Sequence, residues 1–391
     1  MAIVVSALET DVPAGGFDVG ATVDMDGRRD RVVFRRHGDH PRLADRTDTF
    51  DPFAVLLLLP AMLRGEPLVV EGSIDEVLLA SLRGPVQDTL RLLDRSWRRV
   101  EVRAEPQPAP PTAAARGAAG GMSAGIDSMH LVRNRLLDPD VPDALRLRTL
   151  LHHHVGAHGG DDAVFAERLG HARRVADRLG LPLVGASCAA ETAYRGMPFI
   201  HCHTMRHVAA SMTLDHLFSL VHYASSEELG RRPRRSRFSG ISTIEAQLLP
   251  LFDTPRVAWR SFGGAATRLA KTADVIADDR LCGDLCVCIR GSRRDRAALN
   301  CGRCYKCARL LLQAEASGRL DAVAGTFDMA AWRAGRGHAV TRVLWLALGP
   351  QRTANEADLL AFLDDRGFPF PWWARPWVGI GRAVATARRR A

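Results

Sequence analysis

From about residue 122 the chain alternates short apolar runs with amphipathic stretches, and this alternation constrains the fold more than any other feature. RLRTLLHHHVGAH (146–158) predicts a strand, and VFAERLGHARRVADRLG (164–180) an amphipathic helix. LPLVGAS (181–187) predicts a second strand. FSLVHYASS (218–226) predicts a third, after the helix RHVAASMTLDHL. Strands that alternate with helices predict an α/β fold, a doubly wound parallel sheet covered on both faces. Ligands of such sheets bind beyond the carboxyl ends of the strands.

Residues 1–105 predict a separate small α/β domain. Its strands are expected at 30–36, 67–73 and 98–105, with helical periodicity between them. It contains no nucleotide loop, cysteine cluster or nucleophile constellation, which favours a packing or substrate-gating role. EPQPAPPTAAARGAAGG predicts a stiff linker over 106–121. A second domain is expected over 122–325, and a helical extension with a basic tail over 326–391. The longest apolar run, Phe53 to Leu63, is broken by Pro60 and is far short of the roughly 20 residues of a membrane span. The N-terminus lacks the basic start and long apolar stretch of a secretion signal, so a cytoplasmic protein is expected. Its eight cysteines then read as thiols or metal ligands rather than disulfides. A net charge of +9 suits an anionic partner but does not separate a nucleotide from RNA.

GGMSAGIDSMHLVRN is the first segment that carries chemistry. Small residues let the backbone turn tightly, so successive N–H groups can face one anion. The hydroxyls of Ser123 and Ser128 can donate to phosphate oxygens. Asp127 can hold Mg²⁺, and a helix starting near it adds a positive dipole end. The alternative is a plain capped helix start. Ala124 stands where a second glycine would, and an alanine fits there without strain only if its φ is negative. The preceding TAAARGAAGGM reads as a poor strand, for want of β-branched residues.

The second segment is Cys301-Gly-Arg-Cys304-Tyr-Lys-Cys307, with Cys288 thirteen residues upstream and Cys282 and Cys286 near it. Four thiolates predict a structural Zn²⁺ site of four cysteines, without an open position for catalysis. An iron–sulfur cluster and metal-free thiols are the alternatives. Arg303, Lys306 and Arg309 offset the thiolate charge.

SAGIDS resembles the S-G-G-x-D-S signature of the PP-loop ATP pyrophosphatases. LCVCIRG…LNCGRCYKCARLLL resembles the zinc element of 7-cyano-7-deazaguanine synthase-like members of that superfamily, with Cys288 as the best match for the first ligand. The resemblance covers roughly residues 120–320. It implies a HUP-type domain and a pyrophosphate grip by Ser123, Ala124, Gly125, Asp127 and Ser128. It implies adenylation of a carboxylate or amide oxygen by ATP, release of pyrophosphate, and transfer to a nitrogen nucleophile. A small acid or base-like substrate, or a peptide acceptor, fits that chemistry. A tRNA-modifying enzyme of the same superfamily and a non-catalytic ATP sensor are the alternatives. A homo-oligomer is expected, and no membrane partner.

Arg268 and Lys271 lie three residues apart after a Gly-Gly pair and can neutralise departing pyrophosphate. His152, His153 and His154 are expected to pack and hydrogen-bond. His201, His203, Arg206 and His207, with Arg195 upstream, can hold an acidic substrate or form a polar surface. The arginine-rich 230–238 loop suits an acidic partner or solvent, and Trp372-Trp373 predicts a packing anchor.

Overall fold

A computed structural model describes residues 2–11, 17–45, 48–108, 116–157, 161–229, 240–289, 298–349 and 353–380. The strands are β1 (Ile3–Asp11), β2 (Phe17–Met25), β3 (Arg28–Gly38), β4 (Leu68–Asp75), β5 (Val102–Gln107), β6 (Ala118–Gly121), β7 (Leu147–Leu151), β8 (Leu183–Ser187), β9 (Leu220–Ala224) and β10 (Ala258–Phe262). The helices are α1 (Asp51–Arg64), α2 (Glu76–Arg83), α3 (Pro85–Leu93), α4 (Ile126–Val132), α5 (Asp162–Leu179), α6 (His203–Met212), α7 (Glu245–Leu248), α8 (Arg268–Ala277), α9 (Tyr305–Ala316), α10 (Leu320–Ala324), α11 (Met329–Leu348) and α12 (Ala354–Asp365). Two compact units divide them: Met1–Met122 with Asn134–Gly264, and Ser123–Arg133 with Ala265–Ala391. None of the described helices is long and apolar enough to cross a membrane.

The first unit is built on one ten-stranded sheet, in the order β10-β9-β6-β7-β8-β3-β2-β1-β4-β5. β10, β9, β6, β7 and β8 run parallel, as the alternation predicts. β8 then pairs antiparallel with β3, Arg35 opposite Ser187. β3, β2 and β1 form an antiparallel meander, and β4 and β5 return to parallel pairing. The N-terminal strands therefore extend the sheet that the later strands form, where a separate small domain was expected. The linker residues 109–115 lie outside the described chain.

Strand β6 corrects a second expectation. Its sequence is AAGG, yet it lies between β9 and β7, paired with both. Ala118 and Ala119 are fully buried. Neighbours on two sides supply the ladder, so tertiary pairing overrides weak propensity. Expected strand 98–105 begins only at Val102, and the strands β1, β2 and β10 were not anticipated.

Helix α1 buries nearly its whole circumference, from Asp51 to Met62, and packs on α6 and β4. Only a helix enclosed on all sides tolerates the sequence FAVLLLLPAM. Leu56, Leu57, Leu58 and Leu59 are each at most 1% exposed.

The second unit is helical among its described residues. α4 packs on α8, and α9 packs on α8, α11 and α12. Thr267 caps α8 by accepting from the Ala270 N–H at 3.0 Å.

Candidate phosphate loop and metal site

Chain connectivity puts Ser123–Ser128 just after the carboxyl end of β6. The loop is closed by its own serines. Ser123 Oγ accepts from the Gly125 N–H at 3.2 Å, and Ser128 Oγ accepts from the Ser123 N–H at 3.3 Å. Ser128 Oγ donates to the Gly125 carbonyl at 3.0 Å, and the two hydroxyls stand 3.3 Å apart.

Ala124 has φ +55°, so the condition for an unstrained alanine at this position is not met. A β-carbon in the left-handed region costs roughly 1–2 kcal/mol. Gly125 has φ −81° and ψ 171°, an extended conformation open to any residue. The turn therefore places its left-handed residue at 124, and the Cys286 N–H donates to the Ala124 carbonyl at 2.8 Å. α4 has only seven residues, and the positive charge beside the loop comes from side-chain cations.

Those cations come from α8 and α9. Arg268 Nη1 lies 2.7 Å from Asp127 Oδ2, and Lys271 Nζ 3.5 Å from Asp127 Oδ1. Lys271 is 1% exposed, a depth that lysine rarely occupies unpaired. Sequence spacing put these two on one face, and the structure brings both to Asp127. The first turns of α9 add Lys306 and Arg309, whose charges act on Arg268 and Asp127. The Lys306 side chain is exposed overall, yet protein around its ammonium, then repulsion from Arg268 and Arg309, hold its pKa below the ordinary lysine value. Arg309 also pairs with Glu356 at 3.3 Å. Four cations, Arg268, Lys271, Lys306 and Arg309, therefore gather beside Asp127, Glu356 and the four-cysteine group.

Cys288, Cys301, Cys304 and Cys307 converge, with all four sulfurs within 4.8 Å of one another. A tetrahedral zinc ion with bonds of about 2.3 Å spaces its sulfurs about 3.8 Å apart. Cys304 Sγ lies 4.0 Å from Cys288 Sγ and 3.4 Å from Cys307 Sγ, which fits. Cys301, Cys304 and Cys307 are buried and Cys288 half-buried. Hydrogen bonding with the Cys288 sulfur, joined by burial, pushes the Cys304 and Cys307 thiols up; a bound cation offsets that. The four-cysteine group can hold a metal ion such as zinc. Cys282 is outside it, with its sulfur 3.9 Å from Arg319 Nη2. Cys286 is outside it as well.

Two residues that support this site escaped sequence reasoning. Gly302 has φ +67°, and a β-carbon there would stand 2.4 Å from the Asp328 carbonyl oxygen. Asn300 is fully buried, and its amide oxygen accepts from the Val287 and Cys288 N–H groups at 2.8 and 3.0 Å. Its amide nitrogen donates to the Leu285 and Thr326 carbonyls at 2.7 and 3.1 Å. Its adjacency to Cys301 is the one hint that the sequence offers.

The histidines of the first unit have packing roles. His152 and His154 both stack on Phe165, with ring centroids 5.6 and 4.3 Å away. His153 Nδ1 accepts from the Ala186 N–H, so its Nε2 donates to Ser211 Oγ at 2.8 Å. His203 Nδ1 meets the Tyr223 hydroxyl at 3.1 Å, and His207 lies 6.2 Å from the Tyr223 ring. His201 is half-buried. Arg206 is buried against Glu191 at 2.5 Å, and Arg195 pairs with Asp26 at 2.6 Å. Each of these two arginines therefore has a carboxylate of the chain itself as partner. Of the expected anchor pair, Trp372 is 81% exposed and does not pack, whereas Trp373 is half-buried. The arginine loop 230–238 and the last eleven residues lie outside the described chain.

No family model matches the chain, and neither a curated protein nor a solved structure matches it.

Proposed function

We propose that this chain is an ATP-dependent adenylating ligase of the PP-loop type. The observation that carries the reading is Asp127, in the serine loop, held between Arg268 and Lys271 with Lys306 and Arg309 close by. A loop of small residues with four cations gathered beside it suits a polyphosphate. Ser123 and Ser128, now bonded to each other and to the loop, exchange those bonds for phosphate oxygens. A carboxylate or amide oxygen of the substrate attacks the α phosphorus in line, and the bond to the β phosphate breaks. Arg268 and Lys271 hold the charge that gathers on departing pyrophosphate. A nitrogen nucleophile then attacks the acyl carbon and expels AMP. Asp127 is the carboxylate that would hold Mg²⁺, an ion that neutralises phosphate charge when bound. The four-cysteine site supplies rigidity to the start of α9 and takes no part in the chemistry.

A non-catalytic ATP sensor is the second reading. It is favoured by the strained Ala124 and by an Asp127 already engaged by two cations. Pyrophosphate release from ATP across a panel of carboxylic acids, with 7-carboxy-7-deazaguanine among them, separates the two. The ligase reading expects release that depends on one acid and disappears in Asp127→Ala. ATP binding without release for every acid, peptide and tRNA tested would favour the sensor.

A further inference from the structure

The described molecule carries one buried side chain whose bonds run from the metal site toward the phosphate loop, and it is Asn300. Both lone-pair sites of its amide oxygen and both of its N–H groups are used, by backbone on two separate segments. Two N–H groups face the oxygen and two carbonyls face the nitrogen, so only one orientation of the amide satisfies all four. The segment that it clamps is 285–288. One end of that segment is the metal ligand Cys288. Two residues earlier, the Cys286 N–H holds the carbonyl of Ala124, the left-handed residue of the phosphate loop. A left-handed alanine persists only where its surroundings over-determine it.

We infer that Asn300 is a positioning residue that couples the four-cysteine site to the phosphate loop, so that metal and nucleotide each strengthen the binding of the other. With the metal in place, Cys288 is fixed, Asn300 fixes the backbone of 285–288, and Cys286 holds Ala124 in its strained turn. Without it, that segment loses one anchor and the turn can relax. Coupling between two binding sites is reciprocal, so bound nucleotide must retain the metal by the same factor. The inference rests on the reading of the serine loop as a nucleotide site.

The test uses the metal-loaded chain. Zinc transfer to the coloured chelator 4-(2-pyridylazo)resorcinol is followed with and without MgATP in excess Mg²⁺, and MgATP binding is measured separately by calorimetry. MgATP is expected to slow transfer about tenfold in the wild type, within the usual range of coupling. In Asn300→Ala, which keeps all four sulfurs, the slowing should vanish while zinc still loads. A variant that merely loosened the fold would speed transfer equally with and without MgATP. Should Asn300→Ala fail to fold, the wild-type comparison alone decides. MgATP binding with an unchanged transfer rate would overturn the coupling and leave the ligase reading standing. No MgATP binding at all would overturn both.

Discussion

The hydroxyl of Tyr194 donates to the carbonyl of Leu56 at 2.7 Å. That carbonyl is the one left without a helical partner by Pro60, which has no N–H to give to the residue four before it. A proline in the middle of the most buried helix is thus compensated from the short turn Thr192–Tyr194, itself far away in sequence. Tyr194→Phe keeps the ring and deletes the donor. It should cost about 1–3 kcal/mol in urea unfolding, the usual penalty of a buried unpaired carbonyl. Adding Pro60→Ala to the Tyr194→Phe variant should recover most of the loss, since the helix then supplies its own donor. No recovery would mean that the hydroxyl acts elsewhere.

Two effects oppose each other at Ala124. Glycine would relieve about 1 kcal/mol of left-handed strain. It would also give up a fully buried methyl, worth about 0.8 kcal/mol. Ala124→Gly should therefore leave stability within about 0.5 kcal/mol of wild type. Ala124→Val adds branching to a left-handed residue and should cost well over 2 kcal/mol. Chemical unfolding of both variants checks the pair of values, and equal destabilisation would argue against a left-handed turn.

Asp51 should make the protein less stable as pH rises. Burial pushes its carboxyl up to about 7, opposed by the hydrogen bond that it accepts from the Asp75 N–H at 2.9 Å. Asp215, nearby and raised to about 6 by burial, works in the same direction, with Arg256 opposing it. A folded pKa above the unfolded value means that the folded state binds more protons between the two. Stability is then full below about pH 4 and is lost as pH rises through 7. Asp51→Asn should flatten part of that fall and raise the melting temperature at pH 8. A variant whose pH profile ran parallel to wild type would sink the assignment.

Metal content is the simplest measurement on the cysteine group. The purified chain should carry about one metal ion. Cys304→Ser should lower metal affinity by roughly tenfold or more, whereas Cys282→Ser should leave it unchanged. Acidification should release the ion, because its ligands bind only when deprotonated. Equal loss in both variants would remove the distinction that the structure draws between them.

The sequence made some of this legible for physical reasons that can be named. Period-2 and period-3.6 patterns disclosed β7, α5, β8 and β9 because each buries one side or both. Thiol spacing disclosed the four ligands, since local geometry dictates it. The i, i+3 spacing of Arg268 and Lys271 disclosed a shared face. β6 was obscured because its stability comes from two neighbouring strands rather than its own residues. The φ of Ala124 and the role of Asn300 depend on partners more than ten residues away, beyond the reach of any local pattern.

The pairing of β3 with β8 also sets a timetable for synthesis. Arg35 and Ser187 meet across about 150 residues of intervening chain. A ribosome adding 5–20 residues per second needs roughly 8 to 30 s to bridge that gap. During this interval the β2–β3 ribbon offers an open hydrogen-bonding rim, and its exposed Arg28, Arg29, Arg31 and Arg35 keep that nascent rim charged against adhesion to another chain.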